Sequence, residues 1–206
     1  MIPVFFILTI LLVLWVHYQK RRTDRIASKK SELFWERERQ ANLTRKKDIS
    51  NLDFIHVPVN TLPFPEMNSE EITDVQKHIL ALASGKIVNF TGLSNTDLKL
   101  QYGAPNINIL MEYDKNYLEL VRSLYRYGNL LYDRGLTDES AAVLEYAVSI
   151  KTDIRANYTL LATIYKEKNN LDGITSVISA AEELTSLTKK VLLADLVAIR
   201  DSSVSQ

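Results

Sequence analysis

The sequence predicts an all-α protein that begins with an apolar helix and continues as a domain of antiparallel helix pairs. Three observations favour this fold class. The first 19 residues carry no charged side chain, apolar residues further along recur every three or four positions, and several positions in the C-terminal half recur after 34 residues. With 206 residues and an apolar fraction of 46%, the chain can bury one modest core besides the N-terminal helix.

Residues 1–19 are expected to form a transmembrane anchor. At about 1.5 Å per residue, a helix of this length reaches roughly 28 Å, close to the ~30 Å thickness of the hydrocarbon layer. Trp15 and Tyr18 lie near its end, where amphipathic rings favour the membrane interface. A cleaved signal peptide is the alternative, but it needs positive charge before the apolar run rather than after it. The order of charges therefore favours an uncleaved, single-pass anchor.

Positive charge follows the anchor. The stretch from Lys20 to Asp48 holds eleven Lys and Arg against five Asp and Glu, which leaves 14 against 20 elsewhere in a chain of zero net charge. Basic residues beside a membrane segment mark its cytoplasmic side. The expected topology is an outside N-terminus and a cytoplasmic domain, oriented by the first four basic residues: Lys20, Arg21, Arg22 and Arg25.

Residues 20–51 are predicted to form a basic juxtamembrane helix. It is either a solvated spacer or a surface that adheres to anionic lipid. Leu33, Phe34 and Trp35 suit either the membrane interface or packing on the domain. Nucleic acid is not an expected partner, because only this segment is basic and the rest of the chain is acidic.

The segment 52–68 contains three prolines and reads as an extended linker lying along the domain. The helical domain is expected at 69–206. Its first helix has Ser69 or Asn68 as N-cap and stops at Gly85. A shorter helix follows at about Thr96 to Tyr102, and Asp114 is expected to cap a long one.

An internal repeat organises the rest of the domain. Pairs of similar residues lie 34 positions apart: Leu124 and Tyr158, Gly128 and Ala162, Leu131 and Tyr165, Asp138 and Asp172, Leu144 and Ile178, Ala147 and Ala181. The two segments "LYRYGNLLYDRGLTDESAAVLEYAVSIKTD" and "YTLLATIYKEKNNLDGITSVISAAEELTS" resemble the tetratricopeptide repeat family. The resemblance implies repeats at about 121–154 and 155–188 and a capping helix at about 189–201, with the earlier helices as a degenerate extra pair. Two αα-hairpins without the family's curvature are the alternative.

Four small residues are expected to set the packing of these repeats. Gly128 and Ala162 would let the second helix of each pair approach closely, and Ala147 and Ala181 would let the next pair stack. The sequence departs from the family pattern at Ser140 and Ile174, which replace the small Ala usual at the hairpin contact, and at Thr152, where the family often has Pro.

The same resemblance implies a concave groove lined by the first helix of each repeat. Tyr125 and Tyr132 are expected to be exposed there, as rigid aromatic anchors for a peptide. The full set of predicted groove residues is Arg122, Tyr125, Asn129, Tyr132, Asp133, Thr159, Thr163 and Lys166.

The sequence offers little for catalysis. It contains no cysteine and three histidines without metal-ligand spacing, and it lacks the Gly-rich phosphate loops and the usual hydrolase motifs. We therefore expect no enzyme, no cofactor and no metal site.

The predicted function is a membrane-tethered adaptor or scaffold that binds a protein or peptide of unknown identity. A self-associating structural membrane protein is the alternative, and an enzyme with an unrecognised site is a further one.

Overall fold

The computed structural model describes residues 4–186 and 188–204, and these are helical or irregular with no strand among them. The all-α prediction is confirmed. The helices in chain order are α1 (Val4–Asn42), α2 (Glu70–Ala83), α3 (Asn95–Tyr102), α4 (Ile107–Tyr132), α5 (Thr137–Ser149), α6 (Arg155–Glu167), α7 (Leu171–Glu182) and α8 (Lys189–Val204). The chain forms two compact units, one from residues up to 48 with 94–107 and one from 49–93 with 108 onwards.

In the first unit, the C-terminal part of α1 packs against α3. The Arg37 guanidinium donates to the Asp97 carboxylate at 2.6 Å, and the Lys99 ammonium pairs with Glu38. Ser94 caps α3 reciprocally, because its hydroxyl accepts from the Asp97 backbone N–H while the Asp97 side chain accepts from the Ser94 backbone N–H. Hydrogen bonds from Ser94 lower the pKa of Asp97, and the hydrogen bond from Lys99 lowers the pKa of Glu38.

Gly103 reverses the chain after α3 and fixes it to the segment that follows α1. Its φ is +94°, and a Cβ placed there would lie 2.2 Å from the Arg45 carbonyl oxygen. The Lys47 N–H donates to the Tyr102 carbonyl at 3.2 Å. Asn106 is only 2% exposed. Its side-chain amide donates to the Lys47 carbonyl at 2.8 Å and to the Tyr102 carbonyl at 2.7 Å. Only glycine fits both the backbone angle and the close approach.

The second unit has two apolar clusters. The first joins α2, α4 and one face of α5, with Val143 and Ala147 contributed by α5. The second joins the other face of α5 to α6, α7 and α8, with Ala141 and Leu144 contributed by α5. Since its two faces enter different clusters, α5 links the helices before it to the helices after it.

The segment predicted as a linker, 52–68, is part of the first cluster. Leu62 is buried there. Core tyrosines hold its backbone, because the Tyr127 hydroxyl donates to the Pro63 carbonyl at 2.7 Å and the Tyr146 hydroxyl donates to the His56 carbonyl at 3.2 Å. The segment is therefore held on the second unit by apolar packing and by hydrogen bonds to its backbone.

Two sequence-based helix boundaries are wrong. The helix predicted at 20–51 is the C-terminal part of α1 and ends at Asn42, after which the chain turns back to meet α3. Asp114 does not cap the long helix, because α4 begins at Ile107. Instead, the Asp114 carboxylate accepts the backbone N–H of Phe90 at 3.3 Å, and its burial raises its pKa.

No helix within residues 4–186 and 188–204 combines the length and the apolarity needed to cross a membrane. The transmembrane helix predicted at 1–19 is not supported. Its first three residues lie outside the described part of the chain.

Candidate functional site

The N-terminal part of α1 presents a continuous apolar surface. From Phe6 to Tyr18 every side chain is exposed, and the large apolar ones are between 48% and 65% exposed. They are Phe6, Ile7, Leu8, Ile10, Leu11, Leu12, Val13, Leu14, Trp15, Val16 and Tyr18. Exposed contiguous apolar surface of this extent indicates a membrane or another protein as its natural neighbour.

Basic side chains follow on the next turns of α1, and they are all exposed. The first four basic residues after the apolar run are Lys20, Arg21, Arg22 and Arg25. Among the described residues, the ion pairs of α1 are confined to its far end, at Arg37 and Glu38. The cationic part of the helix is therefore not neutralised by the unit to which it belongs.

Leu33, Phe34 and Trp35 do not pack into a core. They are 66%, 55% and 60% exposed, and the rings of Phe34 and Trp35 contact each other edge to face with centroids 5.3 Å apart.

The predicted aromatic strip on α4 is only partly accessible. Tyr125 and Tyr132 are half-buried and pack against the second cluster, so the expectation that they stand exposed in a groove is wrong. The Tyr132 hydroxyl donates to the Glu167 carboxylate at 2.5 Å, and this hydrogen bond raises the pKa of Tyr132. Neighbouring side chains of α6 reach these rings, which the sequence of α4 alone does not reveal.

The remaining predicted groove residues mostly bond within the unit. Arg122 and Asp133 are exposed, and the Asn129 amide donates to Asp133 at 3.0 Å. On α6, Thr159 and Thr163 donate to backbone carbonyls of their own helix, at 3.4 and 2.8 Å. The Lys166 ammonium donates to the Ser202 hydroxyl of α8 at 2.8 Å. A partner at this surface would meet polar groups rather than the predicted aromatic anchors.

The predicted packing residues lie inside the unit. Ala147, Ala162 and Ala181 are fully buried. At Gly128, an added Cβ would lie 2.8 Å from Leu144 Cδ2, and the backbone carbonyl of Gly128 accepts the buried Ser140 hydroxyl at 2.7 Å. The serine that departs from the family pattern thus bonds α5 to α4.

Gly173 has a similar role that the sequence analysis missed. A Cβ there would lie 2.8 Å from the Tyr165 ring and 2.8 Å from the Asn170 amide. The glycine lets this ring pack over the start of α7. The sequence signal for this role is that Gly173 directly precedes Ile174, the position where a small residue is expected at the hairpin contact.

A polar network that the sequence does not show fixes the turn between α5 and α6. The Tyr158 hydroxyl donates to the Thr152 carbonyl at 2.9 Å, and the Tyr117 hydroxyl donates to the Lys151 carbonyl at 3.0 Å. Burial raises the pKa of both tyrosines. The Thr152 hydroxyl accepts from the backbone N–H of Ile154 at 3.2 Å, which holds the turn where the family often uses proline.

A cavity of about 510 Å³ lies beside this turn, between the segments 53–56, 88–91, 149–153 and 183–186. Lys151 and Glu183 form an ion pair there at 3.3 Å, and His56 contributes to the wall. No group of three or more His, Asp or Glu side chains in the described ranges is placed to hold a metal ion. The wall of the cavity therefore presents both charged and uncharged polar groups.

Comparisons with protein-family models, curated proteins and solved structures find no match to this chain. Its function therefore has to be argued from the geometry of its own residues.

Proposed function

We propose that this protein is a membrane-attached adaptor that binds a protein or peptide partner on the cytoplasmic side. The observation that carries the proposal is the exposed apolar surface of α1 from Phe6 to Tyr18, followed directly by basic residues. The apolar part enters the bilayer. The basic residues stay in the headgroup region, and they favour the cytoplasmic leaflet because its surface carries the anionic lipids.

The size of this surface is sufficient for stable attachment. Complete burial of one large apolar side chain contributes about 1.5–3 kcal/mol. Eleven side chains that are each about half exposed and become fully buried would contribute roughly 8–16 kcal/mol. A micromolar dissociation constant corresponds to about 8 kcal/mol, so the apolar run needs no further contact to hold the protein on a membrane.

The second unit supports the adaptor half of the proposal. Its helix pairs α4/α5 and α6/α7 follow one another with small residues at their contacts, and α8 packs on both α6 and α7. The resemblance to tetratricopeptide repeats stays a prediction, and this order of helices favours it. We place the partner contact at the exposed polar edge of α4, at Arg122 and Asp133, because Tyr125 and Tyr132 are half-buried against the second cluster.

Flotation with phosphatidylcholine vesicles tests the attachment. The native protein should rise with the vesicles, and the variant Leu8→Asp/Leu11→Asp/Leu12→Asp should stay in the dense fraction. The matched control changes three exposed apolar residues of the second unit: Leu80, Leu171 and Val191 to Asp. If the control variant alone loses flotation, or if neither loses it, attachment does not depend on α1.

Two further measurements test the other parts of the proposal. Protease added to intact cells should leave the second unit uncut, and its digestion would refute the cytoplasmic side. Crosslinking in cells should capture a defined partner with the native protein and less of it with Arg122→Ala/Asp133→Ala. If the crosslinked species are only multiples of the chain itself, the self-associating structural protein is the better description.

A further inference from the structure

The basic residues of α1 share one face of the helix. Arg21, Arg25 and Lys29 follow one another at intervals of four, and Arg22 and Lys29 lie seven apart, so all four project from neighbouring positions. Together with Tyr18 and Ile26, they line a shallow depression of about 470 Å³. We call these four residues the cationic face.

The cationic face contains unfavourable pairs of like charges. Like charges at i and i+4 destabilise a helix, and this face contains two such pairs in succession. The far end of α1 is different, because its charged residues are matched by α3: Arg37 by Asp97 and Glu38 by Lys99. Within residues 4–48 and 94–107, no carboxylate forms an ion pair with the cationic face. An anionic neighbour from outside the chain would remove the repulsion.

The chemistry and position of the face favour a phosphate group at a membrane surface. A guanidinium presents a fixed fork of donors that matches two phosphate oxygens, and three of the four residues are arginines. The face begins three residues after Tyr18, the last residue of the apolar surface. When that surface is in the bilayer, the face lies at the level of the headgroups. The tyrosine in the same depression suits the interface as well.

Nucleic acid also presents phosphates, but the position of the face favours lipid. The apolar surface from Phe6 to Tyr18 adjoins the face, and a bilayer can bury that surface whereas a nucleic acid cannot.

We propose that the cationic face binds the headgroups of anionic phospholipids and thereby selects membranes that contain them. The inference rests on the proposed function, because the apolar surface supplies attachment and the cationic face adds the preference for lipid charge. A basic residue close to an anionic membrane surface strengthens binding about fivefold, and the four residues act together. Screening reduces the sum, so we expect a preference of at least ~10-fold at physiological salt.

The test measures partitioning of the full chain onto phosphatidylcholine vesicles with and without phosphatidylserine. The variant changes Arg21, Arg22, Arg25 and Lys29 to Gln, which preserves helix propensity and polarity. The control variant changes four basic residues of the second unit to Gln: Lys77, Lys115, Arg122 and Lys190. Circular dichroism of each variant on vesicles checks that the helix content is unchanged.

The native protein and the control should bind the anionic vesicles at least ~10-fold more tightly, and high salt should abolish the difference. The four-residue variant should bind both kinds of vesicle as weakly as the native protein binds pure phosphatidylcholine. Retained preference in that variant, or no preference in the native protein, overturns the inference but leaves the proposed function intact. Failure of the native protein to bind either vesicle refutes the proposed function itself. A short RNA that binds the native protein more tightly than the anionic vesicles, and the variant not at all, would assign the face to nucleic acid.

Discussion

The contact between Gly128 of α4 and Leu144 of α5 allows a quantitative test of the helix packing. A Cβ at position 128 would lie 2.8 and 2.9 Å from two carbons of Leu144, closer than side-chain carbons approach in proteins. Gly128→Ala gains about 1 kcal/mol of helix propensity. Overpacking in a close-packed core costs about 1–3 kcal/mol. The net effect of Gly128→Ala should therefore be a destabilisation between about 0 and 2 kcal/mol.

A double-mutant cycle separates these contributions. Leu144 is fully buried, so Leu144→Ala alone should cost about 2–5 kcal/mol through the cavity that it leaves. In the double variant the clash is absent and the new methyl group fills part of the cavity. Leu144→Ala should therefore cost about 1–3 kcal/mol less in the Gly128→Ala background than in the native one. Denaturant unfolding followed by circular dichroism measures all four proteins.

The control for this cycle is Leu196→Ala on α8. Leu196 is also fully buried, but the atoms nearest to a Cβ at position 128 all belong to Leu144. Gly128→Ala and Leu196→Ala should be additive within ~0.5 kcal/mol. A coupling of this small size between Gly128→Ala and Leu144→Ala would show that α4 and α5 do not meet as described.

Three other expectations concern the backbone and the tyrosines. Gly103→Ala should expose the chain at Arg45 to trypsin. Gly92→Ala is the control, because Gly92 has a similar φ of +89° but an added Cβ would have no atom closer than 3.7 Å. This control should leave the site at Arg45 protected. Tyr127→Phe should lower the free energy of unfolding by about 1–3 kcal/mol, because a linker carbonyl loses its donor. Burial raises the pKa of Tyr146 from 10.0 to about 12, so its contribution to stability is complete below pH 10 and is lost as the pH rises through 12. Denaturation midpoints measured across that range should fall more steeply for the native protein than for Tyr146→Phe.

The helices after Gly135 could be placed from sequence because their signals are local. α5 and α7 begin 34 residues apart, at Thr137 and Leu171, which is the repeat spacing read from the sequence. Each follows a short turn, one containing Gly135 and the other Asn169, both with positive φ. Turn residues and apolar spacing act over a few positions, so one chain segment contains the information that sets them.

The features that were missed depend on contacts between distant segments. Asp is a common N-cap residue, yet the Asp114 carboxylate accepts a hydrogen bond from the backbone N–H of Phe90, 24 positions away. Tyr132 looks like a groove residue, yet it bonds Glu167 at a separation of 35 positions. A local pattern assigns a face of a helix but does not tell which neighbour covers that face. The sequence therefore predicts which residues lie on one face of α4, but it does not predict how far Tyr125 and Tyr132 are exposed there.

The two halves of α1 differ in what stabilises them as helix, and this difference connects the fold to the proposed function. Near Arg37 and Glu38 the helix is held by α3. Between Phe6 and Lys30 no other helix packs on it among the described residues, while the apolar run contains several β-branched residues and the next turns repel one another electrostatically. Most helical stability in proteins comes from packing of an apolar face. The proposed attachment to an anionic membrane would give the N-terminal half both an apolar surrounding and anionic neighbours, and each would stabilise it as a helix.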